Sequence, residues 1–316
     1  MEHCCVIGGS GFIGRHVVDK LRMLNKKITV IGRKSAPSSK LANGVRYLSG
    51  DIADRNFLLD ALSNVDKVIN LSYSTVPKTS YENPVKDILI NIPSTVILFE
   101  TLSMLPIKRI VTVSSGGVIY GKAIEIPISE DHPTNPVSPY GISKLAIEKY
   151  AMMFYELKSL PVICVRPSNA YGNGQKPFIG QGFIATAIAS VINQKEIVFF
   201  GDPGTIRDYI HVTDVADGII AALENGKIGM CYNIGTGIGK DNKEILDIIQ
   251  SFAKPANLDI NIRKLPLRQY DVPVNILNSD KLKKDTDWEP NIPLIDGIET
   301  TWNWFYHKLD YGSNYK

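Results

Sequence analysis

The sequence predicts an α/β protein: a Rossmann-type doubly wound parallel sheet, followed by a smaller, loop-rich C-terminal substrate-binding region. Three observations predict it. Short apolar runs alternate with helix-like stretches as far as Arg166, the first run ends in the glycine cluster GGSGFIG, and beyond Arg166 loops rich in Gly, Pro and Asn take over. Alternating strands and helices at this spacing build a parallel sheet covered by helices on both faces.

Taken in order, HCCVIGG is a short buried strand and GFIGRHVVDKLRML has helical periodicity. KITVIGR, DKVINLSY, KRIVTVSS and VICVRPS repeat the strand signal, with helical stretches between them. The later loops are NAYGNGQKPFIGQG, GDPGT and GTGIGKDN. A dinucleotide-binding domain is therefore expected over residues 1–165, with 205–235 returning to it and 166–316 forming the substrate region. The tail HKLDYGSNYK is expected to fray.

The 316 residues are 44% apolar and 21% charged, ordinary for a soluble globular protein. The 35 basic and 32 acidic side chains are interspersed, for a net charge of +3, which points to no nucleic-acid or membrane-surface partner. Cys4, Cys5, Cys164 and Cys231 sit in apolar runs without metal-ligand spacing. Buried thiols in a reducing compartment, and no metal, are the expectation. MEHCCVIGGS lacks the pattern of a secretory leader, and no apolar run nears the ~20 residues of a membrane span. A soluble, cytoplasmic protein is expected.

Gly8, Gly11 and Gly14 lie three apart at the junction of the first strand and first helix. Glycines there permit a tight turn, close approach of backbone to a pyrophosphate, and helix packing on strand, with the phosphates at the helix N-terminus. Phe12 and Ile13 in the same turn, and Leu71 at the end of DKVINLSY, complete this part of the expected dinucleotide contact. At the end of the second strand, where an acid normally meets the adenosine ribose of NAD, the sequence reads Gly32, Arg33, Lys34. Arg33 can pair with a 2′-phosphate, so NADP or NAD is expected, with NADP(H) favoured; two solvent-facing loop cations are the other reading. Asp51 and Ile52 either border the adenine or make an ordinary helix cap. In SPYGISK, Tyr140 and Lys144 are four apart on one helix face, where an ammonium can stabilise a phenolate.

In order along the chain, GGSGFIG, GDIAD, VTVSSGGVIYG, SPYGISK, RPSNAYG, RDYIHVTDVADGI and LRQYDV resemble an extended short-chain dehydrogenase/reductase. More narrowly they are similar to the nucleotide-sugar epimerase, dehydratase and 4-reductase group, over essentially the whole chain. The resemblance implies that Tyr140 is the acid/base and that Lys144 binds the nicotinamide ribose. The group's auxiliary Ser or Thr stands four residues before the tyrosine matching Tyr120, and here that residue is Gly116. Ser115 is favoured as its substitute over Ser114 or a water, or both serines merely satisfy a strand end. The resemblance also implies that Asn169, Arg207 and Arg268 line the sugar-nucleotide diphosphate pocket and that Asp271 contacts the ribose or fixes Arg268.

The group's dehydratases carry an Asp-Glu pair where this chain has Gly117 and Val118, so dehydration is disfavoured. A non-catalytic dinucleotide-binding regulator is disfavoured by the intact Tyr140 and Lys144. Two reactions remain. The one favoured on the sequence is reduction of the C4 ketone of a dTDP-activated 6-deoxyhexose for surface polysaccharide such as the lipopolysaccharide O-antigen; the alternative is UDP-hexose 4-epimerisation. A homodimer is expected by resemblance.

Overall fold

The computed structural model describes residues 1–266 and 272–310, the last three by backbone only. The first half runs β1 (His3–Ile7), α1 (Phe12–Met23), β2 (Lys27–Gly32), β3 (Arg46–Ser49), α2 (Arg55–Leu62), β4 (Lys67–Asn70), α3 (Pro77–Glu82), α4 (Pro84–Leu102), β5 (Arg109–Val113), α5 (Pro139–Lys158) and β6 (Val162–Pro167). Then follow β7 (Asn169–Tyr171), α6 (Phe183–Ile192), β8 (Ile197–Phe200), β9 (Ile206–His211), α7 (Val212–Asn225), β10 (Cys231–Ile234), β11 (Gly239–Lys240), α8 (Asn242–Ala253), β12 (Ile262–Leu265), β13 (Val274–Asn275), α9 (Asp280–Thr286) and α10 (Leu294–Asp310).

Seven strands form a wholly parallel sheet in the order β10-β6-β5-β4-β1-β2-β3. The chain winds outward from β1 through β2 and β3, then crosses to β4 on the other side. The crevice above the carboxyl ends of β1 and β4 is therefore the topological switch point, where open α/β sheets bind ligands.

Both faces are covered, which is why the strands read as continuous apolar runs rather than alternating ones. One face packs on α1 and α7 through Val17, Val18, Leu21, Val215, Ile219 and Leu223; the other packs on α2, α4 and α5 through Leu58, Leu62, Leu98, Phe99, Ile147 and Phe154. Cys4, Cys5 and Cys164 are buried as expected, but Cys231 is only half-buried, because β10 is an edge strand.

Of the stretch 205–235, α7 packs on α1 and β10 supplies the seventh strand, whereas β9 belongs to a small separate sheet with β7, β11 and β13. A further core gathers α6, α8 and α10 around Ile188, Ile245, Ile249, Ile298 and Trp302. No helix among the described residues is long and apolar enough to cross a membrane.

Candidate active site

The glycine cluster forms the turn from β1 to α1. Gly8 has φ of +79°, a conformation that disfavours a side chain, and its carbonyl accepts the Gly11 N–H at 2.9 Å. A Cβ on Gly14 would stand 2.3 Å from the Gly8 carbonyl oxygen and 2.7 Å from the Gly9 Cα. The turn closes only because that atom is missing. Phe12 and Ile13 open α1, both half-buried, and Leu71 follows β4, its N–H bonded to the Ile7 carbonyl at 3.0 Å. These residues meet at the switch point between β1 and β4.

At the neighbouring edge, Arg33 and Lys34 are exposed just past β2. Ile52 is buried after β3, and Asp51 is exposed with its Oδ1 accepting the Ala53 N–H at 3.0 Å. The Asp51 carboxylate is therefore engaged in its own turn, while the cap of α2 is Asp54, whose Oδ1 accepts the Phe57 N–H at 3.1 Å.

Helix α5 starts at Ser138, whose hydroxyl accepts the Gly141 N–H at 3.2 Å, with Pro139 in its first turn. Tyr140 and Lys144 consequently lie one turn apart, as expected. Their helix is pinned to β6 by a buried ion pair, Arg166 to Glu148 at 2.7 Å. The Lys144 ammonium donates to the Val113 carbonyl at 3.0 Å and lies 4.0 Å from the Tyr73 ring centre, against 5.7 Å for the Tyr140 ring.

Burial brings the Lys144 pKa down to about 7, while the Glu148 and Asp87 carboxylates oppose the shift. Tyr140 moves the other way: burial first, and the Asp87 charge second, push its phenol up, and a side-chain hydrogen bond with Ser115 draws it back. In the chain by itself, burial and the Asp87 charge thus outweigh what favours the phenolate. The ammonium is turned toward Val113 and Tyr73, and the hydroxyl that favours the phenolate is that of Ser115.

Gly116 has a packing reason. A Cβ there would lie 2.4 Å from Leu277 Cδ1 and 2.8 Å from the Arg166 carbonyl oxygen, so no serine fits without displacing β6 or the segment after β13. The Gly116 carbonyl accepts from buried Asn275 Nδ2 at 3.1 Å. Ser114 is buried, whereas Ser115 is half-buried and acts on the Tyr140 phenol, drawing its pKa down.

Asn169 on β7 faces the same loop, its Oδ1 3.3 Å from where a Cβ on Gly117 would be. Arg207 lies further out on β9, its Nη1 donating to the carbonyls of Ile206 at 2.9 Å and Pro273 at 3.4 Å. Arg268 and Asp271 lie outside the described residues. The structure therefore gathers Ser115, Tyr140, Lys144 and Asn169 at one edge of the sheet, with Arg207 on the adjoining small sheet.

Sequence reasoning missed three residues here. Tyr73 contacts both Lys144 and, edge to face at 5.0 Å, Tyr140; Asp87 is fully buried and accepts from Thr75 and Asn91; Asn91 also holds the Ser74 N–H at 2.8 Å. An aspartate inside an otherwise apolar helical run was the available signal.

The profile of the NAD dependent epimerase/dehydratase family matches residues 4–235. The chain belongs to that family. It is an enzyme of this NAD-dependent type, and the glycine turn, which has no room for side chains, fits such a dinucleotide. A putative UDP-glucose 4-epimerase of Methanocaldococcus jannaschii is 33% identical, over 95% of this chain and 97% of its own length. The crystal structure of UDP-glucose 4-epimerase with UDP-glucose from Thermotoga maritima superposes with a TM-score of 0.90 at 30% identity, covering 97% of this chain and 99% of that one. The Thermus thermophilus UDP-glucose 4-epimerase complex with NAD gives 0.88 at 28% identity, covering 96% and 98%.

Proposed function

We propose that the protein is a UDP-hexose 4-epimerase of the UDP-glucose/UDP-galactose type. The observation that carries this reading is the near-complete coverage of 4-epimerase relatives, now joined to a Tyr140, Lys144 and Ser115 constellation. It reverses the order of preference drawn from the sequence, which put the 4-ketoreductase first. That choice leaned chiefly on Arg33, read as an NADP-type pocket whose cofactor exchanges, and in lesser part on the missing hydroxyl at Gly116, which its neighbour Ser115 can supply.

In this reading Gly8, Gly11, Phe12, Ile13, Gly14 and Leu71 hold the dinucleotide, with Asp51 and Ile52 at its adenine end, and Lys144 binds its nicotinamide ribose. When bound, the nicotinamide supplies a hydride acceptor and donor for C4 of the hexose. Tyr140 takes the proton from the C4 hydroxyl and later returns one to the C4 oxygen, and Ser115 hydrogen-bonds that oxygen. Asn169, Arg207, Arg268 and Asp271 hold the nucleotide diphosphate, an arrangement that suits guanidinium groups. Because the diphosphate is remote from C4, the hexose can present either face while its anchor stays bound. The substrate region is 166–316 together with this edge of the sheet.

Arg33 favours a second reading on one point. If it selects NADP(H), the cofactor can exchange with a reducing pool, as a 4-ketoreductase requires. We also propose a cytoplasmic homodimer joined through the outer faces of α4 and α5, where Val85, Ile88, Leu89, Tyr150, Met153 and Leu157 are exposed. The test is to incubate the protein with UDP-glucose and NAD, and separately with NADPH and a 4-keto-6-deoxy nucleotide sugar. Appearance of UDP-galactose supports the epimerase; stoichiometric NADPH loss in the second tube, without UDP-galactose in the first, replaces it with the reductase.

A further inference from the structure

We propose that Tyr73 is a positioning residue of this site: its ring seats the Lys144 ammonium beside Tyr140, and Asp87 anchors the ring from behind. The inference rests on the catalytic reading of Tyr140 and Lys144. Tyr73 lies in the segment after β4, three residues past Asn70, and belongs to none of the motifs that define the site. Its ring centre is 4.0 Å from Lys144 Nζ and 5.0 Å from the Tyr140 ring, at an interplanar angle of 74°. A cation over an aromatic face is attracted by the ring quadrupole, the more so away from water, and Lys144 is buried.

The Tyr73 hydroxyl points the other way, donating to both Asp87 oxygens at 3.4 Å. Asp87 is itself held, since Thr75 and Asn91 Nδ2 donate to its Oδ1 and Asn91 Nδ2 also donates to its carbonyl at 2.9 Å. Helix α4 thereby fixes a loop residue against a residue of α5. The groups facing Lys144 are Glu148 from its own helix, Asp87 from α4, Tyr73 from the loop after β4, Tyr140 one turn back and the Val113 carbonyl of β5. Arg166 of β6 is engaged with Glu148 behind them.

Asp87 has a second consequence. Its charge raises the pKa of both Lys144 and Tyr140, so its removal lowers both. A merely structural carboxylate would leave the pH profile in place.

The experiment compares the parent with Tyr73→Leu, Tyr73→Phe and Asp87→Asn. Two readouts are taken: kcat against pH with UDP-glucose, and the pH dependence of Lys144 acetylation by acetic anhydride, followed by mass spectrometry. Asp87→Asn is expected to move both profiles to lower pH by about one unit. Tyr73→Leu is expected to lower kcat by about tenfold or more, with a much smaller change in KM, and to speed Lys144 acetylation at neutral pH. Tyr73→Phe keeps the ring and is expected to recover part of that loss. Should Asp87→Asn fail to fold, the Tyr73 pair decides. If the parent turns over no UDP-hexose, the functional reading fails, while acetylation still decides the role of Tyr73. Unchanged Lys144 acetylation in Tyr73→Leu, or equal defects in Tyr73→Leu and Tyr73→Phe, would overturn the inference.

Discussion

The turn between β1 and α1 and the corner where β5 meets α5 are both functional edges of one sheet, yet they are built in opposite ways. The turn is seven consecutive residues whose usefulness lies in missing atoms, Gly8 and Gly14 above all. The corner is made of side chains drawn from distant segments: Tyr73 after β4, Asp87 on α4, Ser115 after β5, and Tyr140 and Lys144 on α5. A site made of backbone fails when an atom is added. A site made of convergent side chains fails when one is removed, because each holds the next.

The largest effect expected from breaking this contrast is at the corner. Tyr140→Phe removes one oxygen, the proton-transferring one in the proposed mechanism, and should cost on the order of 10² to 10⁴ in kcat while leaving dinucleotide binding nearly intact. Steady-state kinetics alongside calorimetric titration of the cofactor check it; a near-normal rate would remove Tyr140 from the mechanism. At the turn the opposite change is the damaging one. Gly14→Ala adds a single carbon facing the Gly8 carbonyl oxygen at 2.3 Å, and should weaken cofactor binding and destabilise the fold by roughly 1–3 kcal/mol, read by denaturant unfolding.

A pH series sharpens the comparison, since the turn contains no titratable group and the corner contains four, Tyr73, Asp87, Tyr140 and Lys144. Lys144 falls to about 7 in the folded chain from an unfolded value of ~10.4. Below pH 7 both states carry the charge and its burial cost is fully felt. From about pH 7 toward 10 the unfolded chain holds a proton that the fold has lost, so this group makes stability rise with pH across that window. Lys144→Met should flatten the rise in urea midpoint relative to the parent; an identical pH dependence in the two proteins would contradict the burial of a chargeable Lys144.

What could be read from the sequence divides along the same line. The turn was legible because its function needs particular residues at consecutive positions, and Tyr140 with Lys144 because four residues on a helix is a fixed geometry. Ser115 was only half legible: the vacancy at Gly116 showed, but its cause, Leu277, is more than 160 residues away in the chain. Tyr73 was not legible, since nothing local in DKVINLSY says that a tyrosine after β4 will lie across a lysine of α5, and Asp87 in PVKDILIN signals a carboxylate in an apolar run without saying what it faces. The direction of the Tyr140 shift was also beyond reach, because it is decided by burial and by Asp87 rather than by spacing.

The most confined expected effect, on the affinity for one cofactor alone, belongs to the outer rim of the dinucleotide site, where Arg33 is exposed past β2. If it pairs with a 2′-phosphate, charge-assisted bonds of about 1.5–3 kcal/mol are lost in Arg33→Ala, about ten- to hundredfold in affinity for NADP(H) with NAD(H) unchanged. Equal affinities before and after the substitution would leave Arg33 as a surface cation.

The central claim is that Tyr140, beside Lys144, takes the proton of the C4 hydroxyl and later returns one, while the hydride that a bound nicotinamide would take from C4 goes back to the opposite face of the same carbon. UDP-glucose carrying deuterium at C4, incubated with the protein and its cofactor and followed by NMR and mass spectrometry, tests this most directly. Retention of the deuterium at C4 of UDP-galactose, with no net change in nicotinamide absorbance, is the predicted result. UDP-galactose that has lost the label, or no UDP-galactose together with NADPH consumed mole for mole by a 4-keto nucleotide sugar, would contradict it.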